Sequence, residues 1–168
     1  MTELILFARI IYLWKSSLST AAKYYHNQVY RFILAADLWV FLILGLAIAM
    51  SIPAFNVLMH GTHIVVAHTM GATIGINSML LFAFIFNITS EYKSYQPSKK
   101  QIRIGYNLLQ ISLLVFVTSL IIAGILKANW QFEETTTAYS TMMQQLKPWF
   151  ILFTIAGIGV MTGFYILI

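Results

Sequence analysis

The chain contains no cysteine. Disulfides, thiolate metal sites and cysteine nucleophiles are therefore excluded, although the lack of disulfides does not by itself assign a compartment. Charge is also scarce: Asp, Glu, Lys and Arg together make up 9% of 168 residues. A soluble domain of this length needs far more polar surface, so a free-standing soluble enzyme is excluded. The sequence also lacks a carboxylate pair, a nucleophile–base pair, a phosphate-binding loop and a soluble metal-site signature. The first apolar stretch does not read as a signal peptide, because Glu3 and Arg9 interrupt it and no small-residue cleavage site follows.

What the chain has in abundance is apolar side chains, 60% of the total, with many Phe, Tyr, Trp and Met. A helix of about 20 apolar residues crosses the hydrocarbon of a bilayer, and several such runs are present. The expected fold is all-α, a polytopic transmembrane helical bundle of four full spans plus a short N-terminal helix, forming one membrane domain over residues 1–168. The spans are expected at about 3–14 (partial), 30–55, 60–88, 104–126 and 148–168. The first reads either as the end of a longer helix or as an interfacial helix anchored by Trp14 and Lys15. Asp37 lies within the second, either snorkelling or pairing with Arg31, or facing the bundle interior. Pro53 ends or kinks that helix, and Asn56 to Met59 reads as a very short turn. The fourth span carries little chemistry beyond Ser112, Thr118 and Ser119. Pro148 is expected in the first turn of the fifth, where its missing donor costs nothing. Gly157, Gly159 and Gly163 leave room there for close helix packing.

The formal net charge of +5 does not point to nucleic acid, because the cations sit in short loops between hydrophobic segments. Successive loops alternate sides. Lys15, Lys23, Arg31, Lys93, Lys99, Lys100 and Arg103 fall on one side; Lys127 and Lys147, offset by Glu133 and Glu134, fall on the other. The first side is expected to be cytoplasmic, which places His60 at the outer surface.

Three of the four histidines, His60, His63 and His68, fall within nine residues at the entrance to the third span. An ionisable group inside a membrane is costly and is a functional-site hypothesis by default. His26 reads as a solvated loop residue. His68 and Met70 are two residues apart and at ~100° per residue point to nearly opposite faces. That geometry cannot hold one metal between them, but it suits one helix standing between two cofactors, since imidazole and thioether are both haem axial ligands. Gly71 and Gly75 follow His68 by three and seven residues. They would either leave space for a flat ring or form a small-xxx-small packing motif. Met70 can equally be an apolar filler, and His68 a core histidine bonded to a hydroxyl. His60 and His63 lie near the interface, where water contact is the simplest reading for His63. Asn77 is a candidate for an interhelical hydrogen bond.

The joint pattern is more telling. A helix ending in Pro53, a tight turn, His60-Gly61-Thr62 and then Val65-Val66-Ala67-His68 resembles the tenth helix of the haem-copper oxidase superfamily. The His60-Gly61-Thr62 start is most similar to nitric oxide reductase large subunits. The resemblance implies that His60 stands at the outer edge near haem propionates and that His68 is the proximal ligand of a high-spin haem iron. Met70 stands where that family places a second histidine, the ligand of a low-spin haem. Either a methionine holds that haem, tending to raise its potential, or the haem has been lost. Haem b is the implied cofactor, two per family member and at least one here, with His68, Met70, His60, Gly71 and Gly75 as the cofactor-contacting set and no catalytic residue besides. A non-haem iron or copper belongs to helices that this chain does not supply. The resemblance therefore implies the C-terminal part, helices eight to twelve, of a twelve-helix subunit such as a split gene would give, inactive alone. Its implied partners are the N-terminal part of the subunit, a cytochrome c subunit or quinol as electron donor, and the lipid bilayer. The implied location is the bacterial cytoplasmic membrane. The implied function is reduction of nitric oxide or oxygen. A membrane haem electron carrier without substrate chemistry and a haem-free structural subunit are the competing readings.

Overall fold

A computed structural model describes residues 2–17, 27–89, 98–132 and 138–168. His26, Lys23, Glu91, Lys93, Pro97, Glu133 and Glu134 lie outside the described residues. No strand occurs among the described residues, which form α1 (Thr2–Ser17), α2 (Asn27–Ser51), α3 (Pro53–Met59), α4 (His63–Met70), a π-helical segment (Gly71–Asn77), α5 (Ser78–Thr89), α6 (Lys99–Phe132) and α7 (Tyr139–Leu167). Among the described residues, four stretches are long and apolar enough to cross a membrane: Gln28–Ser51, His63–Thr89, Lys99–Phe132 and Tyr139–Leu167. The fold is thus an all-α polytopic membrane bundle. Hydrocarbon offers no partner for backbone N–H and C=O groups, so a single-pass segment there satisfies them internally as a helix.

The boundaries differ from the sequence-based expectation in instructive ways. α2 stops at Ser51 with Ile52 extended, as the residue before a proline favours, so Pro53 ends that helix as expected and also opens a new seven-residue one. The residues expected as a turn, Asn56 to Met59, therefore belong to α3. α6 begins at Lys99 and runs to Phe132, beyond both ends of its apolar stretch. Backbone hydrogen bonding continues the helix into the headgroup layer, where the polar side chains reach water. α7 begins at Tyr139, so Pro148 lies inside the helix, not in its first turn. A proline within a membrane helix is tolerated where neighbouring groups re-satisfy the freed carbonyl.

The core joins α2, α5 and α6 through Phe32, Trp39, Met79, Phe82, Leu109 and Leu113, all at most 5% exposed. The Phe32 ring stacks on Phe86 at 5.2 Å and meets the edge of Tyr106, also at 5.2 Å. α6 and α7 form an antiparallel pair. Gly159 faces Ser112, Gly163 faces Leu109 and Gly157 faces Phe116, the close approach that the three glycines of α7 were expected to allow. Outward-facing residues such as Leu81, Phe84, Ile111 and Ile155 are apolar and exposed, as a lipid-facing surface requires.

Two long-range contacts fix which ends lie together. Arg31, near the start of α2, places its guanidinium 4.4 Å from the centroid of the Tyr106 ring near the start of α6. At the far end of α6, Lys127 Nζ donates to the Gly61 carbonyl at 2.7 Å. Arg31, Lys99, Lys100 and Arg103 therefore share one end of the bundle, and His60, Gly61 and Lys127 the other. Arg31 stacks on Tyr106, while Asp37 is half-buried within α2.

Candidate functional site

The His60-Gly61-Thr62 sequence is first of all a device for stopping one helix and starting the next. The His60 backbone N–H caps α3 by donating to the Asn56 carbonyl at 2.8 Å. Gly61 takes φ +72°, a left-handed conformation that strains any side chain. Thr62 then caps α4. Its hydroxyl accepts from the Ile64 N–H at 3.3 Å and donates to the Met59 carbonyl at 2.6 Å. Thr62 is 4% exposed, so the cap is sealed inside the protein.

The three histidines lie at different depths, His60 in the turn that caps α3 and His63 and His68 on α4. The His60 side chain is exposed and borders an open hollow of about 590 Å³ with Asn56, Val57 and Gln131. His63 is not simply in water: it is half-buried, with its ring 5.0 Å from that of Phe150 on α7. α7 crosses close enough here to cover it. His68 is five residues into the 27-residue helix, about 7 to 8 Å below its start. It is half-buried. No hydrogen bond, ion pair or ring contact among the described residues engages its imidazole. Met70, 37% exposed, lies on the other side of the same α-helix.

Gly71 and Gly75 do not border free space. A Cβ added at Gly75 would fall 2.6 Å from the Trp39 ring, and one at Gly71 would collide with Ile43. Helix packing is the role the geometry displays, and no room for a flat ring exists on this face. Both glycines belong to the π-helical segment, whose wider i→i+5 turns are rare and recur at functional sites. The sequence signals this segment only through its glycine pair. Asn77, at its end, is exposed.

A polar chain missed in the sequence lies beside this segment. Trp39 Nε1–H donates to Gln110 Oε1 at 2.9 Å, and Gln110 Nε2 donates to Met79 Sδ at 2.9 Å. An amide in the middle of α6's apolar run was the available signal.

No group of three His, Cys, Asp or Glu side chains that could hold a metal ion occurs among the described residues. A haem iron asks less of the chain, since one imidazole suffices on one side. The chemistry of His68 fits that demand: a ring nitrogen on a membrane-spanning helix, half-buried, and engaged by no hydrogen bond, ion pair or ring contact among the described residues. Met70 offers a thioether on the opposite side. The glycine face does not fit a porphyrin.

A model of the family described as Cytochrome C and Quinol oxidase polypeptide I matches residues 4–159. No curated protein matches the chain.

Proposed function

The chain belongs to the haem-copper oxidase subunit I family of membrane oxidoreductases, and from that premise we propose that it supplies the proximal axial ligand, His68, to a high-spin haem at which nitric oxide or oxygen is reduced. The observation that carries this reading is the His68 imidazole, half-buried within a membrane span and engaged by no hydrogen bond, ion pair or ring contact among the described residues. A cofactor held by it would lie between this bundle and the rest of the subunit. We assign that remainder to an N-terminal part carrying the non-haem metal ligands, which this sequence does not contain.

Within the chain, Thr62 and Gly61 fix where α4 begins, and Lys127 ties that point to α6. Together they set the depth of His68. Packing of Gly71 against Ile43 and of Gly75 against Trp39 fixes the rotation of the helix below it. His60, exposed in the turn before α4, would donate to a carboxylate at the edge of a bound cofactor. Met70 would ligate a second, low-spin haem. Bound haem would supply the redox-active iron that accepts electrons and passes them to substrate. A cytochrome c subunit or quinol would be the donor. We assign the protein to the bacterial cytoplasmic membrane, with the His60 end facing outward.

The packed glycines favour a second reading, a haem-free structural subunit. Reduced-minus-oxidised and carbon-monoxide difference spectra on membranes containing the full subunit distinguish the two. The expected result is a carbon-monoxide-binding haem that is lost in His68→Ala. An unchanged carbon-monoxide spectrum in that variant, or no haem in the parent, overturns the assignment.

A further inference from the structure

We propose that the Arg31 end of the bundle holds a specific site for the phosphate of an anionic lipid headgroup, built from Arg31 of α2 and Lys99 and Arg103 of α6. Lys99, Arg103 and Tyr106 are spaced i, i+4 and i+7, so they share one stripe of α6. Arg31 joins that stripe from the neighbouring helix. Its guanidinium lies 4.4 Å from the centroid of the Tyr106 ring, and the Tyr106 hydroxyl donates to the Arg31 carbonyl at 3.4 Å. Stacking on a ring holds the guanidinium in place without neutralising it. Its N–H edges stay available, in a planar fork that matches phosphate oxygens.

Charge and polarity at this end agree with such an occupant. The first turns of α2 and α6 contain no acidic residue. Lys99, Lys100 and Arg103 are exposed, whereas Arg31 is half-buried between the helices. The start of α6 adds its own positive dipole end. Ser98 and Gln101 form the cap there: the Gln101 N–H donates to Ser98 Oγ at 3.2 Å, and the Ser98 N–H donates to Gln101 Oε1 at 3.1 Å.

The surface below the cations selects a lipid over a free anion. The outward face of α6 that begins with Lys100 and Arg103 continues through Ile104, Ile111 and Leu114, which are 47%, 65% and 53% exposed. Lys100 and Arg103, the second of them a member of the site, therefore sit directly above a bare apolar strip, the profile of a headgroup over its acyl chains. Loop sidedness accounts for cations at this end. It does not account for one of them being clamped on a ring between two helices.

The test is native mass spectrometry of the full chain, purified in neutral detergent and given equal amounts of phosphatidylglycerol and phosphatidylcholine. Phosphatidylglycerol adducts should predominate, and Arg31→Gln/Arg103→Gln should weaken them by about fivefold per charge removed. Arg31→Lys should recover only part of the loss, because an ammonium lacks the fork. Lys99→Gln/Arg103→Gln alters exposed side chains only and serves if the Arg31 variant misfolds by circular dichroism. Lys127→Gln/Lys147→Gln, at the opposite end, should leave the adducts unchanged. Equal retention of both lipids overturns the proposal, as does equal loss in the Lys127/Lys147 variant. Complete displacement of lipid by millimolar inorganic phosphate would identify a free-phosphate site instead and also overturns it.

Discussion

At the scale of single residues, glycines do the most to set distances in this molecule, and each makes a different demand. Gly61 needs its left-handed backbone, so Gly61→Ala should cost about 1 to 2 kcal/mol, read as a lowered unfolding temperature in detergent. Gly75 needs its missing side chain. A methyl there meets the rigid indole of Trp39, and overpacking of this kind costs about 1 to 3 kcal/mol. Gly45 makes neither demand, since nothing lies within 4 Å of its would-be Cβ. Gly45→Ala should therefore leave stability unchanged or raise it slightly, and comparison of the three by thermal unfolding separates conformation from contact. His68 stands in contrast to these residues. No hydrogen bond, ion pair or ring contact among the described residues engages its imidazole, and the proposed iron ligation would.

At the scale of elements, the packing of α2 on the π-helical segment and on α6 decides how His68 and Met70 are presented. Trp39 works twice in this contact: its ring closes the space over Gly75, and its N–H is satisfied by Gln110. Gln110→Leu leaves that donor without its partner in a region with no water to replace it. The expected cost is about 1 to 3 kcal/mol. Trp39→Phe removes the donor, and Gln110→Leu should then cost less. A double-mutant cycle on this pair should give a coupling of roughly 0.6 kcal/mol, typical of interhelical hydrogen bonds in membranes. A coupling of zero would mean that the amide and indole merely sit side by side. The α6–α7 pair rests on a simpler device, small residues that let two backbones approach.

For the whole molecule, the two ends of the bundle are chemically different. One gathers Arg31, Lys99, Lys100 and Arg103; the other holds the His60 turn with Lys127 bonded into it. In the orientation proposed from charge bias the first end is cytoplasmic. The absence of cysteine makes this easy to check. A single cysteine at Lys100 should resist a membrane-impermeant maleimide in intact cells, whereas one at Gln131 should react. The reverse pattern would place His68 near the cytoplasmic surface and undo the outward assignment of the cofactor edge.

The sequence by itself determined the class of fold and singled out the histidine-bearing span on which the proposed chemistry rests. Apolar runs long enough to cross hydrocarbon have no alternative to helix, and a histidine inside one stands out because it is costly there. The alternation of charged loops was legible for the same reason, since each span must return the chain to the opposite side. Helix ends were less legible: Pro53 ends α2 but also opens α3, and Pro148 lies within α7, because proline is tolerated both in a first turn and inside a membrane helix, and neighbouring structure chooses between them. Gly71 and Gly75 could have bordered a flat ring or a neighbouring helix. Only the tertiary structure, by placing Ile43 and Trp39 against them, decided for the helix, since spacing along one helix specifies a face but not what packs on it. The same limit hid the Trp39–Gln110–Met79 chain and the stacking of Arg31 on Tyr106. Each joins residues far apart in sequence, so each exists only once the helices are side by side.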